Sequence, residues 1–255
     1  MSELIRTDIV SLAGGLGKRL QVVTGGGQKV LARIDGKPFL EILIDYIAAQ
    51  GGRRFILCTG HGAAEVEAYF HQARPDLEIA FSREDEPLGT GGAIKKGAAL
   101  VRTPHFLAMN GDCFCVIDYN ALIRAHQSKS AQATIAVTQV PDARDYGTIE
   151  SDAGCRITAF REKQSSFAKA SADESSSSAK ASADVQYLIN TGTYCFNRNV
   201  FDLVATPAKF AIEYDFFAHL IGKPFYSFEV DHKFSDIGTP ERYAWATEHL
   251  KGLTK

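Results

Sequence analysis

The first apolar run of the chain, residues 8–13, leads directly into a glycine-rich segment with two cations. This segment comprises, in order, Ala13, Gly14, Gly15, Leu16, Gly17, Lys18 and Arg19. Glycines let backbone N–H groups approach a phosphate closely, and the cations add attraction for the anion. The segment is not a P-loop, because Arg19 stands where that motif has Ser or Thr. Phosphate binding and a plain strand-to-helix turn both explain it.

A further cation, Lys29, lies in a loop that begins with the glycines at 25–27. Glycines there favour a mobile loop, as a lid over phosphates would be. A solvated lysine in a flexible hairpin explains the same residues, so this segment alone does not decide between the two.

Two aspartates occupy loops that follow predicted strands. Asp112 comes after Asn110 and Gly111 at the C-terminal end of a strand, which is where open α/β sheets place ligands. Asp236 lies in a second loop, before the last predicted helix. Either residue could cap a helix, but carboxylate oxygens are also the ligands that Mg²⁺ prefers. As a pair they predict one metal site.

A run of small residues lies between a predicted strand and a predicted helix. It reads Glu86, Pro87, Leu88, Gly89, Thr90, Gly91, Gly92 and Ala93. Small side chains leave a flat slot for a planar ring, and backbone groups beside the slot can hydrogen-bond to the edge of that ring. The run therefore predicts a site for a nucleic base.

The elements that must position these residues change character along the chain. In the first half, strands are predicted at 8–13, 55–59, 77–81 and 106–109, and helices at 38–50, 63–70 and 91–101. This alternation predicts an α/β fold with a mostly parallel sheet covered on both faces. In the second half, antiparallel strands are predicted at 133–138, 148–150, 156–160 and 193–196, added to the sheet and forming a lid or sugar-side subdomain. Short helices at 199–204 and 214–221, a strand at 225–230 and a helix at 240–250 complete the prediction.

Residues 164–184 differ from the rest of the chain. They contain the sequence Ala-Lys-Ala-Ser-Ala-Asp twice, around a serine run, with Phe167 as their only large apolar residue. Such a segment cannot bury enough surface to offset its ordering entropy. We predict a disordered insertion in a surface loop of a single domain that spans residues 1–255.

The composition of the 255 residues excludes several classes of protein. A formal net charge of −2, from 28 basic and 30 acidic residues, gives no field that would hold nucleic acid or an anionic membrane. No apolar run approaches the roughly 18 residues of a membrane span. Residues 1–8 are too polar for a signal peptide. We therefore expect a cytoplasmic protein.

The cysteines fit that compartment. Cys58, Cys113, Cys115, Cys155 and Cys195 are an odd number without a C-x-x-C pattern, which favours reduced thiols. Cys58 and Cys195 are expected to be buried, because they lie inside apolar runs. Zinc at Cys113 and Cys115 is the weaker alternative, since a structural zinc site needs a second pair of ligands.

Taken together and in this order, the segments resemble the sugar nucleotidyltransferases over residues 8–250. Residues 14–19 match that family's G-G-x-G-x-R loop, and residues 88–93 match its L-G-T-G-G-A segment. Lys29 matches the lysine of its P-K-P motif, with Gln28 and Val30 at the two proline positions. The remaining matches are Asn110-Gly111-Asp112, Tyr146-Gly147, Glu162-Lys163, Asn190-Thr191-Gly192 and Asp236. The 164–184 insertion is foreign to the pattern.

The resemblance implies a fold and an activity. The fold would be a Rossmann-like three-layer sandwich of the GT-A-like kind, with a mostly parallel mixed central sheet and a small antiparallel lid on the sugar side. The activity would be transfer of a nucleoside monophosphate from a nucleoside triphosphate to a sugar 1-phosphate, with Mg²⁺ as cofactor and pyrophosphate as the second product. The binding partners would be the nucleoside triphosphate and the sugar 1-phosphate, and neither nucleic acid nor a membrane. A homodimer is possible under the same resemblance.

The resemblance also implies a role for each matching residue. Catalytic residues would be Arg19, Lys29, Asp112 and Lys163, and metal ligands Asp112 and Asp236. Nucleotide-binding residues would be Ala13, Gly14, Gly15, Gly17, Lys18, Glu86, Gly89, Thr90, Gly91 and Gly111. Sugar-binding residues would be Asn110, Tyr146, Gly147, Glu162, Asn190 and Thr191.

Within the family, the sequence looks most like the D-glycero-D-manno-heptose 1-phosphate guanylyltransferases, on residues 37–41, 86–95, 146–148 and 210–217. That likeness implies GTP and a heptose 1-phosphate as substrates. Mannose-1-phosphate guanylyltransferases, and enzymes that use UTP, CTP or dTTP with hexose 1-phosphates, share much of the pattern and are the alternatives.

Three other classes compete with a nucleotidyltransferase. A non-catalytic sensor of sugar nucleotides would keep the fold, but the charged site positions are all present. An NAD-dependent oxidoreductase could use the glycine loop, but Leu20 replaces the third glycine of the dinucleotide fingerprint. A structural or interaction protein could use the insertion as a tether.

Overall fold

The computed structural model describes residues 2–15, 17–20, 25–143, 146–161, 186–230 and 234–250. Its strands are β1 (Asp8–Leu12), β2 (Arg33–Ile34), β3 (Lys37–Pro38), β4 (Arg54–Thr59), β5 (Glu78–Arg83), β6 (His105–Asn110), β7 (Cys113–Cys115), β8 (Ala133–Val140), β9 (Thr148–Ser151), β10 (Ile157–Arg161), β11 (Tyr187–Asn197), β12 (Phe225–Glu229) and β13 (Phe234–Asp236). Its helices are α1 (Phe39–Ala49), α2 (Ala63–Ala73), α3 (Gly89–Ala98), α4 (Tyr119–Ser128), α5 (Ala218–Leu220) and α6 (Pro240–His249). Shorter turns are the 3₁₀ segments Glu3–Arg6, Lys18–Leu20, Lys29–Leu31 and Val200–Leu203 and the π-helical turn Glu213–Phe217.

A nine-stranded mixed sheet forms the centre of the molecule, with β10-β9-β11-β6-β1-β4-β5 as its main path. Four strands of the first half, β6, β1, β4 and β5, pair in parallel. β11 runs antiparallel to β6, β8 and β9, and β9 runs antiparallel to β10. The predicted change from parallel to antiparallel pairing is confirmed. The last strand of the sheet, β12, pairs in parallel with β8.

The two faces of the sheet carry separate cores, because successive residues of a strand point to opposite sides. Ile9 and Leu57 pack into a core that includes residues of α1, α2, α4 and α6. Val10 and Ile56 pack on the other face, against α3 and the apolar side chains of residues 200–220. The arrangement is the predicted three-layer α/β sandwich.

One helix, α4, was not predicted. The side chain of Asp118 accepts a hydrogen bond from the N–H of Ala121 at 2.9 Å and so caps the first turn. Leu122, Ile123 and His126 of this helix are buried. A cap followed by apolar residues at helical spacing is a sequence signal of a helix, so the segment could have been predicted.

Several predicted elements have different bounds. β11 extends over Tyr187–Asn197, well beyond the predicted 193–196, because it continues through a register shift between Asn190 and Tyr194. The helix predicted at 199–204 is a 3₁₀ turn, and the one predicted at 214–221 is a π-helical turn continued by α5. The predicted insertion at 164–184 lies outside the described residues.

The cysteines are all free thiols, and Cys58, Cys115 and Cys195 are buried. Burial raises the pKa of the Cys58 thiol to about 12. The predicted burial of Cys58 and Cys195 is confirmed.

Among the described residues, the helices are all too short or too polar to cross a lipid bilayer.

Candidate active site

Two adjoining cavities open at the C-terminal ends of the parallel strands. The larger cavity, of about 870 Å³, lies over the turns that follow β1, β4 and β5. The smaller cavity, of about 330 Å³, lies between β6 and the antiparallel strands. Both are lined by Lys29, Asn110 and Asp112, so these three residues form the junction of the cavities.

The glycine turn after β1 forms the floor of the larger cavity. The N–H of Ala13 donates to the carbonyl of Cys58 at 2.8 Å, which keeps the turn beside the end of β4. An added Cβ at Gly14 would lie 2.8 Å from the nitrogen of Gly60, so the two backbones can approach this closely only with glycine at position 14. At Gly17, with φ +54°, an added Cβ would lie 2.7 Å from Cβ of Lys29. The turn therefore packs directly on the Lys29 segment.

The small-residue run at the start of α3 forms another wall of the larger cavity. Gly89 and Thr90 line that cavity. Gly91 faces the interior instead: its N–H donates to the carbonyl of Phe210 at 3.0 Å, and an added Cβ would lie 2.1 Å from the Phe210 ring. The glycines of this run thus serve close packing against residues 208–210 as well as the shape of the cavity.

The turn after β6 holds Asp112 at the junction. The N–H of Gly111 donates to the carbonyl of Leu12 at 3.0 Å, and an added Cβ there would lie 2.2 Å from the same oxygen. Asp236 reaches the same place on the short ribbon of β7 and β13, where it pairs with Cys113. The N–H of Ile237 donates to the carbonyl of Asp112 at 3.0 Å. Two carboxylates more than a hundred residues apart in the chain are thereby brought to one site.

Each carboxylate has a cation beside it. Lys29 Nζ forms an ion pair with Asp112 Oδ2, and Arg242 Nη1 lies 3.0 Å from Asp236 Oδ2. The pKa of the Cys113 thiol is raised well above its usual value, mainly by burial and then by the charges of Asp112 and Asp236. Asp112 precedes Cys113 in the chain and Asp236 pairs with it across the ribbon, so both carboxylates lie beside the same residue.

The donor set fits a hard divalent cation. Within the described part of the chain, no cluster of three or more His, Cys, Asp or Glu side chains could hold a metal by itself. Mg²⁺ is commonly bound by one or two carboxylates together with water and substrate phosphates. Asp112, at the junction of the two cavities, and Asp236, in the smaller cavity, supply such a pair.

A β-bulge in β11 shapes the smaller cavity. The register shifts between Asn190 and Tyr194, and Gly192 has φ +75°. An added Cβ at Gly192 would lie 2.6 Å from Nδ2 of Asn110, so glycine lets that amide reach the cavity. The side chain of Asn190 donates to the hydroxyl of Tyr194 at 3.0 Å and accepts from the N–H of Gly192 at 2.9 Å. The bulge thus orients Asn190 toward the cavity that it lines.

The structure brings together most of the residues predicted from the sequence. Residues of the predicted set that line the larger cavity are Gly14, Gly15, Gly17, Glu86, Gly89 and Thr90. Residues of that set that line the smaller cavity are Arg19, Tyr146, Gly147, Asn190, Thr191 and Asp236. Ala13, Gly91 and Gly111 lie behind the walls and shape them. Glu162, Lys163 and the side chain of Lys18 lie outside the described residues.

Sequence reasoning missed two charged residues of the smaller cavity. Glu213 lines it and accepts a hydrogen bond from the hydroxyl of Thr90 at 2.8 Å. Burial raises the pKa of the Glu213 carboxyl. Arg242 lies 5.0 Å over the ring of Tyr146, besides its ion pair with Asp236. Glu213 falls in residues 210–217, which carried the resemblance, and Arg242 follows the matching residue Asp236, but the sequence gave no partner for either of them.

Comparison with known proteins points to one family. A family model described as nucleotidyl transferase matches residues 9–252. The D-glycero-alpha-D-manno-heptose 1-phosphate guanylyltransferase of Aneurinibacillus thermoaerophilus is 34% identical over 96% of this chain and 98% of its own length. A mannose-1-phosphate guanylyltransferase of Mycobacterium tuberculosis is 31% identical over 96% of this chain and 65% of its own length.

Solved structures agree with the sequence matches. HddC from Yersinia pseudotuberculosis, in a crystal structure complexed with GMP-PN, is 31% identical and superposes with a TM-score of 0.77, covering 96% of this chain and 100% of that one. The family match, the relatives and the fold lead to one conclusion: the chain belongs to the nucleotidyl transferase family.

Proposed function

We propose that the protein transfers a nucleoside monophosphate from a nucleoside triphosphate to a sugar 1-phosphate, releasing pyrophosphate and forming a nucleoside diphosphate sugar. The observation that carries the proposal is the pair of cavities that meet at Lys29, Asn110 and Asp112. A transfer between two anionic substrates needs two binding sites whose phosphates meet beside cations and a metal ligand. The larger cavity would hold the triphosphate and the smaller one the sugar 1-phosphate.

The proposal gives the predicted residues their roles. The glycine turn at 14–17 would bind phosphates through its backbone, together with Lys18. Glu86, Gly89 and Thr90 would surround the base. Tyr146, Gly147, Glu162, Asn190 and Thr191 would contact the sugar, and Lys163 its phosphate. To these we add Arg242, whose guanidinium lies between the Tyr146 ring and the Asp236 carboxylate in the smaller cavity.

The chemistry needs positioning more than proton transfer. An oxygen of the sugar phosphate would attack the α-phosphorus in line, forming a new P–O bond. The bond from the α-phosphorus to its bridging oxygen would break, and pyrophosphate would leave with that electron pair. A phosphate monoester dianion is an adequate nucleophile near neutral pH, so no strong general base is required. Catalysis would then rest on orientation and on charge neutralisation.

The charged residues at the junction and in the smaller cavity would supply that neutralisation. Lys29, at the junction, and Arg19, which lines the smaller cavity, would bind the triphosphate and the departing pyrophosphate. Asp112 and Asp236 would hold Mg²⁺, which when bound would supply positive charge to offset the negative charge that develops during the transfer. Lys29 now contacts Asp112 directly, so binding of the nucleotide would draw its ammonium group from a carboxylate to a phosphate.

GTP and D-glycero-D-manno-heptose 1-phosphate are the proposed substrates. The likeness to the heptose 1-phosphate guanylyltransferase along almost the whole of both chains supports this choice. Mannose 1-phosphate is the second candidate, because the mycobacterial mannose-1-phosphate guanylyltransferase is 31% identical over 96% of this chain, though over only 65% of its own length. A cytoplasmic location, a homodimer and a single domain over residues 1–255 stay predictions.

Pyrophosphate release tests the proposal. The protein would be given GTP, ATP, UTP, CTP or dTTP with Mg²⁺, each combined with heptose, mannose or glucose 1-phosphate. We expect turnover with GTP and the heptose phosphate, and its loss when a chelator removes the metal. Turnover with another pair would support the proposed reaction but show that the proposed substrates are wrong. Absence of pyrophosphate with every pair would contradict the proposed activity and favour a binding protein.

A further inference from the structure

Gln28 and His61 form a contact beside Lys29 that no catalytic role explains. The Gln28 side chain is buried, with the residue only 5% exposed. Its amide Nε2 lies 3.2 Å from Nδ1 of His61. His61 follows β4 and lines the larger cavity. The contact thus joins the loop of Lys29 to a wall of that cavity.

The turn after β4 is shaped to receive the Gln28 side chain. Gly62 has φ +68°, and an added Cβ at that position would lie 2.0 Å from Nε2 of Gln28. Any side chain at position 62 would displace the amide. The fit of Gln28 against residues 61–62 is therefore a close packing contact as well as a hydrogen bond.

The backbone of Gln28 leads directly into the turn that carries Lys29. The carbonyl of Gln28 accepts from the N–H of Leu31 at 2.9 Å, and the carbonyl of Lys29 accepts from the N–H of Ala32 at 3.0 Å. On the other side lie Gly25 and Gly26, with φ of 63° and 93°. Glycines restrain a chain poorly. Fixing Gln28 is thus what fixes the start of the Lys29 turn.

The contact leaves one polar atom of the Gln28 side chain unpaired in the described part of the chain. Among the described residues, Oε1 of Gln28 is a buried atom without a hydrogen-bond partner. A buried polar atom that lacks a partner destabilises the folded state. An apolar side chain of similar size would bury the same surface without that penalty. A role in positioning can therefore be separated experimentally from a role in stability.

We propose that Gln28 is a positioning residue: anchored on His61, it holds the Lys29 turn so that the ammonium group lies at the junction of the two cavities. The inference rests on the proposed function, in which Lys29 binds the triphosphate and pyrophosphate. His61 acts through Gln28 and not by contact with the substrate. A proline at position 28 can hold the turn without His61, because φ of Gln28 is −64°, the value that a proline ring fixes.

The test is a set of variants measured for kcat, for KM of GTP and for melting temperature. In Gln28→Leu and in His61→Ala, kcat is expected to fall by about five- to tenfold, the size of one lost hydrogen bond. The melting temperature of Gln28→Leu is expected to stay the same or rise. The double variant is expected to be no worse than either single one, because both remove one contact. Gln28→Pro is expected to retain most of the kcat of the parent protein.

The decisive comparison is His61→Ala introduced into the Gln28→Pro variant. We expect it to have little effect there, in contrast to its effect in the parent protein. An equal loss in both backgrounds, or additive losses in the double variant, would overturn the inference and assign His61 to direct contact with the nucleotide. If no substrate pair gives turnover, the proposed function fails by itself. In that case the affinity of the same variants for GTP is measured by calorimetry. We expect the affinities to follow the pattern given above for kcat.

Discussion

The two cavities are built in different ways. The larger one is shaped by backbone turns at the ends of parallel strands, where glycines let main chains approach one another, as at Gly14 and Gly60. The smaller one is lined by side chains that come from separate segments, among them Tyr146, Asn190 and Arg242. One cavity is thus specified mainly by local turns, and the other by contacts between distant parts of the chain.

This difference suits the two proposed ligands. A triphosphate offers many equivalent oxygens, which backbone N–H groups in a turn can bind without a particular side chain. A sugar offers hydroxyls in a fixed stereochemistry, and its recognition requires donors and acceptors placed one by one. Changes of substrate within such a fold should therefore be easier to make in the smaller cavity than in the larger one.

The junction belongs to both cavities, so a change there should have the largest effect. We expect Asp112→Asn to lower kcat about a thousandfold, because the neutral amide weakens metal binding where charge develops during transfer. The fold should be retained, since the side chain is partly exposed and the amide oxygen can still accept a hydrogen bond from Lys29. Steady-state pyrophosphate release and a thermal melt measure the two quantities.

Asp118→Asn is the matched control for that variant. Asp118 caps α4, and Asn caps a helix equally well. Its turnover should remain close to that of the parent protein. Near-normal turnover in Asp112→Asn would remove Asp112 from the proposed metal site.

The second prediction separates two kinds of glycine in the segments that form the larger cavity: Gly15, which lines it, and Gly91, which faces the interior behind it. Gly91→Ala should destabilise the fold by about 2 kcal/mol, because the new methyl group would enter the buried ring of Phe210. Gly15→Ala should leave stability unchanged, since among the described residues nothing lies within 4 Å of an added Cβ there. We expect Gly15→Ala to raise the KM for GTP instead.

Urea denaturation and GTP kinetics of both variants would check this contrast. An unchanged stability of Gly91→Ala would mean that the packing against Phe210 is loose. It would weaken the view that this glycine has a structural role.

The larger cavity was the easier one to predict from the sequence. Its motifs are continuous in the chain and follow directly after β1, β5 and β6, so strand, turn and site could be inferred from one segment each. The pair of Asp112 and Asp236 was inferred from residue type and from position after strands. The short ribbon that joins them was not, because β7 and β13 are too short to give a strand pattern.

The smaller cavity shows where sequence reasoning stops. The hydrogen bond between Thr90 and Glu213 joins residues 123 positions apart, and neither carries a local signal of the other. β11 was predicted too short, because the bulge at Gly192 breaks the alternation of its side chains. Long-range pairing depends on packing of the whole fold, which no single segment specifies.

The third prediction concerns the antiparallel half, behind the smaller cavity. His126 on α4 lies against β8, with its Nδ1 2.9 Å from the hydroxyl of Thr134. Burial, and then the neighbouring His105, lower the pKa of His126 to about 3. Below about pH 6.5, the usual pKa of a histidine, His126 binds a proton in the unfolded chain but stays neutral in the folded one. Stability should therefore fall by about 2 kcal/mol between pH 7 and pH 5.

Urea midpoints at the two pH values would measure this loss. His126→Gln, whose amide can still hydrogen-bond to Thr134 but does not titrate, should lose most of the dependence. The exposed His249 provides the control, and His249→Gln should behave as the parent does. Equal pH dependence in all three proteins would show that the pKa of His126 is the same in the folded and the unfolded state.

The prediction with the smallest expected effect concerns the hydrogen bond between Thr90, which lines the larger cavity, and Glu213, which lines the smaller one. The hydroxyl of Thr90 donates to Glu213 Oε2 at 2.8 Å and accepts from the N–H of Ile212 at 3.0 Å. In Glu213→Gln the amide oxygen can still accept from Thr90, while the other atom changes from acceptor to donor. The KM for the sugar phosphate should rise about fivefold, and the KM for GTP should stay within about twofold.

Thr90→Val gives the opposite test of the same link. Thr90 lines the larger cavity, so its loss should raise the KM for GTP as well as that for the sugar phosphate. If Glu213→Gln changed both constants equally, Glu213 would act by holding Thr90 and not by contact with the sugar. The smaller cavity would then depend on the larger one for its shape. The contrast between a cavity made of turns and a cavity made of side chains would then apply only to their walls. Residues 208–213, which pack against the start of α3, would help to shape both cavities.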